Sequence, residues 1–327
     1  MVKRGKGPEF EPVRLVWDPA GPDRRLAAAG QELKAGRVSL AAEVLADRRD
    51  GEDRRCQRFL ILAQVAAGNG AADVWAQEQP GSPEAGLLQA RAAVIRALQA
   101  HRERHPKTAT LVAHARAVCL DTARRFADDP VPWVALLQLS AIAPENVFGP
   151  SELGVSGPWN LMDQLWHRDP WNREGHHRLL AAVGPRATGG SIASVSSVAR
   201  WIAEQAPAGS ALCALQLVAF VEAFRQLADA GDISRVLLTD RHWSTSYAQV
   251  VIERCYTQWF AVSTDPSRIV SSDLHLLAHA LWVGTRRKWA AEVFHTIGPY
   301  ALTTPWSLHG DPAEVFTRAR ERCLTEP

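Results

Sequence analysis

The sequence predicts an all-α protein built from antiparallel helix hairpins. Apolar residues recur every three or four positions along most of the chain, which is the period of an amphipathic helix, and few stretches alternate with the period of two that a half-buried strand requires. Short segments rich in Gly, Pro, Asn and Asp separate these regions and end the helices. Helices joined by short turns along a whole chain are typical of antiparallel hairpin proteins.

Apolar stripes place the clearest of these helices. The first stripe runs from Leu88 to Leu98 and is interrupted by Arg91. Further stripes follow in segments 111–126, 212–227 and 274–281. Each stripe predicts one helix face that packs against neighbouring helices.

Two irregular stretches divide the chain. Residues 1–20 form an N-terminal arm whose apolar residues predict that it docks on the body. Residues 144–158 concentrate proline and glycine, so that no helix can pass through them. We therefore expect an N-terminal helical-repeat region at 21–143, this connection, and a C-terminal helical-repeat region at 159–327.

The composition limits the function classes. Of the 327 residues, 46% are hydrophobic and 22% are charged, which is typical of a globular protein with an ample core. No run approaches the ~18 apolar residues of a membrane span, and no apolar segment follows the basic N-terminus to make a secretory signal. We therefore expect a cytoplasmic protein with no membrane contact. The excess of arginine over lysine indicates a bacterial genome of high GC content.

The charges do not point to a nucleic acid. The chain has 37 basic and 35 acidic residues, a net charge of +2. Phosphate binding requires a basic stripe. The short cluster of Arg48, Arg49, Arg54 and Arg55 is the one feature that favours it, and we do not expect a nucleic-acid partner.

Known catalytic and metal-binding motifs are absent from the sequence. The five cysteines include no Cys-x-x-Cys pair, and we expect them to be buried reduced thiols. No His-Glu-x-x-His, Gly-x-Ser-x-Gly or dinucleotide-binding glycine pattern occurs. We predict no catalytic residue, no metal and no cofactor, and the sequence favours a protein that is not an enzyme.

Two segments resemble each other and indicate an internal repeat. The sequence Ala-Ala-Glu-Val begins at Ala41 and again at Ala290, each time after a turn glycine, Gly36 or Gly284. Glycine permits a tight turn between helices, and alanine lets the second helix approach the first closely.

The spacing of Gly36, Ala41 and Leu45 resembles that of the tetratricopeptide-repeat (TPR) hairpin, whereas the second copy, which ends at Phe294, is one residue longer. The order of features is similar to that of uncharacterised bacterial TPR-like proteins. This resemblance implies a degenerate α-solenoid of stacked hairpins and implies no activity.

The densest cluster of polar and aromatic residues lies in segment 159–191. Its candidate binding residues are Trp159, Trp166, His167, Asp169, Trp171, Arg173, His176 and His177. Histidines and carboxylates are acid–base groups and metal ligands, but Asp169-Pro170 is also a common start of a helix. A tryptophan after proline either wedges between helices or lines a groove. Both interpretations, packing and binding, stay open here.

The leading hypothesis is a non-catalytic helical-repeat protein that binds another protein or a peptide. Stacked hairpins form concave surfaces that suit extended partners. The alternative is a small-molecule-binding or enzymatic all-α protein with its site in segment 159–191. The sequence does not indicate an oligomeric state.

Overall fold

The computed structural model describes residues 14–144, 147–148, 153–187, 189–230, 239 and 241–325. The prediction of an all-α fold is confirmed, because the chain is 70% helical with almost no strand. The strand content of the described residues is one two-residue antiparallel pair, Val147–Phe148 with Ser156–Gly157, and an isolated bridge between Val16 and Tyr300.

The helices follow one another with short connections. The first seven are α1 (Arg24–Lys34), α2 (Ser39–Ala46), α3 (Glu52–Ala67), α4 (Ala71–Glu78), α5 (Pro83–Arg102), α6 (Thr108–Arg125) and α7 (Val131–Leu139). After the strand pair come α8 (Trp159–Trp166), α9 (Arg173–Val183), α10 (Ile192–Gln205) and α11 (Leu215–Ala230). The last four are α12 (Ser246–Cys255), which continues as a π-helical turn, α13 (Ser271–Val283), α14 (Arg287–Ile297) and α15 (Pro312–Thr325).

The two repeat-like segments both form helix hairpins, α1–α2 and α13–α14. Their second helices bury the expected residues, since Leu45 and Phe294 are fully enclosed. The turns differ, however. Gly36 has a φ of +78°, which favours glycine, whereas Thr285 holds the left-handed position (φ +61°) in the second turn. Gly284 is needed there for space, because a Cβ would lie 2.8 Å from the Ala280 carbonyl oxygen.

The buried apolar side chains form three clusters along the chain. The first belongs to α1–α5, together with Ala20 before α1 and Val131 at the start of α7. The second belongs to α5–α11, and the third to α11–α15 and the loops between them. The second cluster takes residues from both sides of the predicted connection at 144–158. That connection therefore does not divide the core, and Val155 within it is buried. Residues 145–146 and 149–152 of the connection lie outside the described residues.

The described part of the N-terminal arm docks on the C-terminal part of the chain. The Val16 amide donates to the Pro299 carbonyl (2.9 Å), and the Ala301 amide donates to the Val16 carbonyl (2.9 Å). Leu15 packs against the third core cluster. Residues 1–13 of the predicted arm lie outside the described residues.

Helix α9 occupies a central position because it packs against α3, α7, α8 and α10. In a simple solenoid, each repeat contacts only its neighbours. The α3–α9 contact and the docked arm join parts of the chain that are far apart in sequence. The observed architecture is therefore more closed than a row of independent repeats.

Within the described part of the chain, one helical segment, Ala211–Asp229, is long and apolar enough to cross a membrane (mean hydropathy 1.4), and half of it is buried inside the protein. The bent pair α3–α4, which turns by 105°, passes the same test when it is counted as one span. This is weak evidence for a membrane span, because core helices of soluble proteins pass the same test.

All five cysteines are buried and free, which agrees with the sequence-based expectation.

Candidate functional site

The structure separates the eight predicted site residues into three environments. Trp159 and Trp166 belong to a tryptophan cluster on α8, while His167 is exposed and its Nδ1 lies 2.5 Å from the Asp163 carbonyl oxygen. Asp169 and Trp171 lie at the corner between α8 and α9. The other three, Arg173, His176 and His177, are in the first turns of α9 and are mostly enclosed.

Helix α9 starts at this corner because Asn172 caps it. The Asn172 Oδ1 accepts a hydrogen bond from the Gly175 amide (2.8 Å), which satisfies a free amide of the first turn. The Asn172 amide group donates to Asp169 Oδ2 (2.8 Å). A side chain at Gly175 would meet Leu165, so glycine lets α9 approach α8 closely. The Asn172 cap and Gly175 together fix how α9 follows α8, and thereby where Trp171 lies at the corner between the two helices.

Arg173 ties α9 to α13. Its guanidinium forms two hydrogen bonds with Asp273, which is fully buried, and a third with Ser272 Oγ (2.9 Å). Burial alone would lower the pKa of Arg173, but the Asp273 carboxylate outweighs it and raises the pKa above its usual value. Arg173 is thus a permanently charged structural residue. It is not available as an acid or a base.

Glu174 ties α9 to α5. Its carboxylate accepts hydrogen bonds from Arg91 and from Arg178 (2.8 Å). Burial alone would raise the pKa of Glu174, but the two guanidinium groups outweigh it and lower the pKa to about 2. Arg91, which interrupts an apolar stripe in the sequence, is therefore buried as the partner of Glu174.

The two histidines of α9 are neutral at physiological pH. Burial lowers the pKa of His176 to about 4, and burial with the nearby Arg173 lowers that of His177 to about 3. Trp166 Nε1 can only donate, so His176 Nε2 accepts from it at 3.4 Å and His176 Nδ1–H donates to the Asn172 carbonyl (2.8 Å). The polar groups of this helix therefore serve its packing, and they do not converge with a nucleophile among the described residues.

An apolar pocket of about 240 Å³ lies beside this corner, and we call it the Trp pocket. It is lined by Trp166, Pro170, Trp171, His176, Trp201, Ile202 and Gln205. The rings of Trp166 and Trp201 lie 6.2 Å apart between centroids, and both contact Trp159. These rigid rings shape a concave surface suited to a large apolar side chain.

A second cavity of about 410 Å³ lies on the other side of Trp171, and we call it the acidic cleft. Its charged lining residues are Asp50, Glu52, Asp53, Asp169, Asp265, Asp273, Arg173 and Arg268. Four of the carboxylates are paired with arginines, whereas Asp53 and Asp169 form no ion pair within 4.0 Å among the described residues. The cleft therefore has an excess of negative charge.

The surrounding protein raises the pKa of both unpaired carboxylates, Asp53 and Asp169. Asp53 is exposed on the wall of the cleft, yet the protein around it displaces enough water to raise its pKa to about 6. Desolvation also raises the pKa of Asp169 above its usual value. Such carboxylates are stabilised by an added cation, because a positive charge offsets the lost hydration.

Trp171 is the residue that the Trp pocket and the acidic cleft share. It is 39% exposed, although its segment is otherwise largely packed. Of the four tryptophans that follow a proline, Trp159 and Trp306 are buried and Trp133 stacks on Arg168, so Trp171 differs in being available at the surface. Packing thus accounts for most of the segment, whereas Trp171 stays available at the surface of this corner.

Several lining residues were missed in the sequence because they come from distant segments. Asp53 is the second residue of α3, Trp201 lies in α10 and Asp265 lies after the π-helical turn. No local spacing links these positions. Asp53 alone carries a local signal, since an acidic residue at the start of a helix is favoured by the helix dipole, but that signal indicates a helix start and not a site.

The basic cluster that favoured nucleic-acid binding is neutralised in the structure. Arg48 pairs with Glu52 and Asp129, Arg49 with Asp47, Arg54 with Asp23, and Arg55 with Glu52 and Asp129.

In comparisons with known proteins, no family model, no curated protein and no solved structure matches this chain.

Proposed function

We propose that this chain is a non-catalytic helical-repeat protein, with a degenerate TPR-like arrangement of hairpins, that binds a peptide segment of another protein. The observation that carries the proposal is the exposed Trp171 between an apolar pocket and a cleft of excess negative charge. Tryptophan with a neighbouring pocket is a frequent centre of protein interfaces.

The two cavities define the chemistry of the partner. The Trp pocket has room for one large apolar side chain, which would displace water from Trp166 and Trp201. The acidic cleft next to it suits a lysine or arginine, which would lie against Asp53 and Asp169. The proposed ligand is therefore an extended segment in which a large apolar residue and a basic residue are close together.

The test is a selection from a random peptide display library against the purified protein. We expect enrichment of peptides with a large apolar residue within about three positions of a lysine or arginine, because two neighbouring cavities are within reach of an extended chain at ~3.3 Å per residue. Enrichment of sequences without a basic residue would refute the part of the proposal that concerns the acidic cleft.

Substitutions at exposed tryptophans test whether the selected peptides bind at Trp171. Trp171→Ala should weaken binding by about 30-fold, because an aromatic residue at the centre of an interface contributes about 2 kcal/mol or more. The matched control is Trp17→Ala, since Trp17 is also exposed (46%) but lies on the N-terminal arm. Equal affinity of the wild type and Trp171→Ala for every selected peptide would overturn the proposal.

The pH dependence tests the role of Asp53. Because the pKa of Asp53 is raised to about 6, its negative charge is present above pH 6 and is lost below it. Affinity for a basic peptide should therefore fall between pH 7.5 and pH 5, and this dependence should be reduced in Asp53→Asn. The control Asp121→Asn removes an exposed carboxylate of α6 that does not line either cavity.

A further inference from the structure

A third cavity lies on the other side of α9, away from Trp171. It encloses about 420 Å³ between the C-terminal ends of α5 and α7, helix α9 with the turn after it, and helices α10 and α11. We call it the Arg102 cavity. A cavity of this size with a mainly apolar lining and a few polar groups is the usual form of a small-molecule site.

The walls of this cavity are aliphatic. Ile142, Leu180, Val195 and Val218 supply branched side chains from four different segments. Small residues leave the space between them, namely Ala141, Ala181, Gly184 and Ala187. No aromatic ring other than the imidazoles of two histidines lines it among the described residues. The interior therefore favours an aliphatic group.

The charged side chains of the Arg102 cavity are two arginines, Arg102 and Arg186, and one carboxylate, Glu222. Two histidines, His101 and the neutral His177, complete its polar lining. Glu222 accepts hydrogen bonds from Arg186 (2.6 Å) and also from Arg225 (2.6 Å), so its charge is already balanced. Arg102 is an exposed residue at the rim of the cavity, and it has no hydrogen bond or ion pair among the described residues.

The excess of arginine over carboxylate in the lining determines the charge of the ligand that fits the cavity. A guanidinium at the rim of an apolar cavity can pair with a carboxylate through two parallel hydrogen bonds, at the modest strength of a solvent-exposed ion pair. A cationic ligand would meet two arginines, and a neutral one would leave Arg102 unused.

We propose that the Arg102 cavity binds a small aliphatic carboxylate, with the carboxylate on Arg102 and the aliphatic chain against Ile142, Leu180, Val195 and Val218. This site is separate from the peptide surface at Trp171 and does not depend on it. It is a binding site, and no bond is made or broken there.

The experiment uses the full-length protein and decanoate as the probe, measured by isothermal titration calorimetry, with n-decanol as the neutral analogue of equal chain length. The expected result is one saturable site for decanoate and about threefold weaker binding of n-decanol, because the alcohol does not form the exposed ion pair with Arg102. Equal affinities of the two probes, or no decanoate binding up to millimolar concentrations, would overturn the proposal.

Two variants place the probe in this cavity. Arg102→Ala should weaken decanoate binding about threefold without changing n-decanol binding, as expected for the loss of a solvent-exposed ion pair. Ala181→Trp should abolish the binding of both, because its exposed side chain lies on the cavity wall and a ring there fills the space.

Matched controls separate these effects from general changes. Arg200→Ala removes an exposed arginine of α10, and Ala35→Trp adds a ring to an exposed position at the end of α1, and neither residue lines the cavity. Trp171→Ala should also leave decanoate binding unchanged, which distinguishes this site from the Trp pocket. Wild-type decanoate affinity in both Arg102→Ala and Ala181→Trp would refute the assignment.

Discussion

The ion pair between Arg173 and Asp273 is expected to hold α9 against α13, and Asp273→Asn tests this. Asparagine has nearly the shape of aspartate but no charge, so the substitution leaves the packing unchanged. It leaves the Arg173 guanidinium largely enclosed without its main counter-ion, because the nearby Asp53 forms no ion pair with it within 4.0 Å.

The magnitude follows from the burial of this pair. Asp273 is fully buried, and Arg173 is 8% exposed. Removal of one member of such a pair costs about 3–5 kcal/mol, mainly because a buried charge stays unpaired. The remaining bond from Arg173 to Ser272 and the field of Asp53 offset part of this cost, so we expect about 3 kcal/mol.

Urea unfolding followed by far-ultraviolet circular dichroism and by tryptophan fluorescence measures this loss. The double variant Arg173→Met/Asp273→Leu should recover most of it, because two apolar side chains of similar size leave no unpaired charge. Asp121→Asn, at an exposed pair of 3.8 Å with Arg125, should leave the urea midpoint unchanged. A loss of less than about 1 kcal/mol in Asp273→Asn, or a double variant as unstable as the single one, would refute the reasoning.

Two further predictions concern stability. Burial lowers the pKa of His176 and of His275 to about 4, so between pH 6.5 and pH 4 the unfolded chain binds protons that the native protein does not. The free energy of unfolding should therefore fall as the pH falls, by about 2 kcal/mol for each histidine between pH 8 and pH 5. Equal urea midpoints at the two pH values would contradict this. Gly284→Ala should lower the free energy of unfolding in chemical denaturation by about 1–3 kcal/mol, because its Cβ would lie 2.8 Å from a backbone oxygen. Gly36→Asn should be nearly neutral, since asparagine tolerates a positive φ and no atom lies within 4 Å of a Cβ at this position. The opposite order of the two effects would show that the two turns were misassigned.

Much of the secondary structure follows from local sequence. The apolar stripe of segment 111–126 corresponds to α6, and that of 274–281 lies within α13. The repeated Ala-Ala-Glu-Val segments become the second helices of two hairpins, with Leu45 and Phe294 buried. These features depend on helix period, small residues and turn residues, which are properties of neighbouring positions.

The sequence was less informative about charged residues. Arg91 is read locally as an interruption of an apolar face, but the structure pairs it with Glu174, 83 positions further along the chain. The same holds for Arg173 and Asp273, which are 100 positions apart. A single sequence carries no signal for such pairs, because each partner has the same local pattern as a solvent-exposed charge.

By itself, the sequence determined that the chain is helical, that hairpins recur in it, and that segment 159–191 concentrates tryptophan and histidine. Only the tertiary structure decided which of those side chains are available. It enclosed Trp159, Arg173 and His176, and it left Trp171 between an apolar pocket and carboxylates from α3 and from the loop before α13. The physical reason is that helical periodicity is set by neighbours in the chain, whereas burial and charge balance are set by groups that only folding brings together.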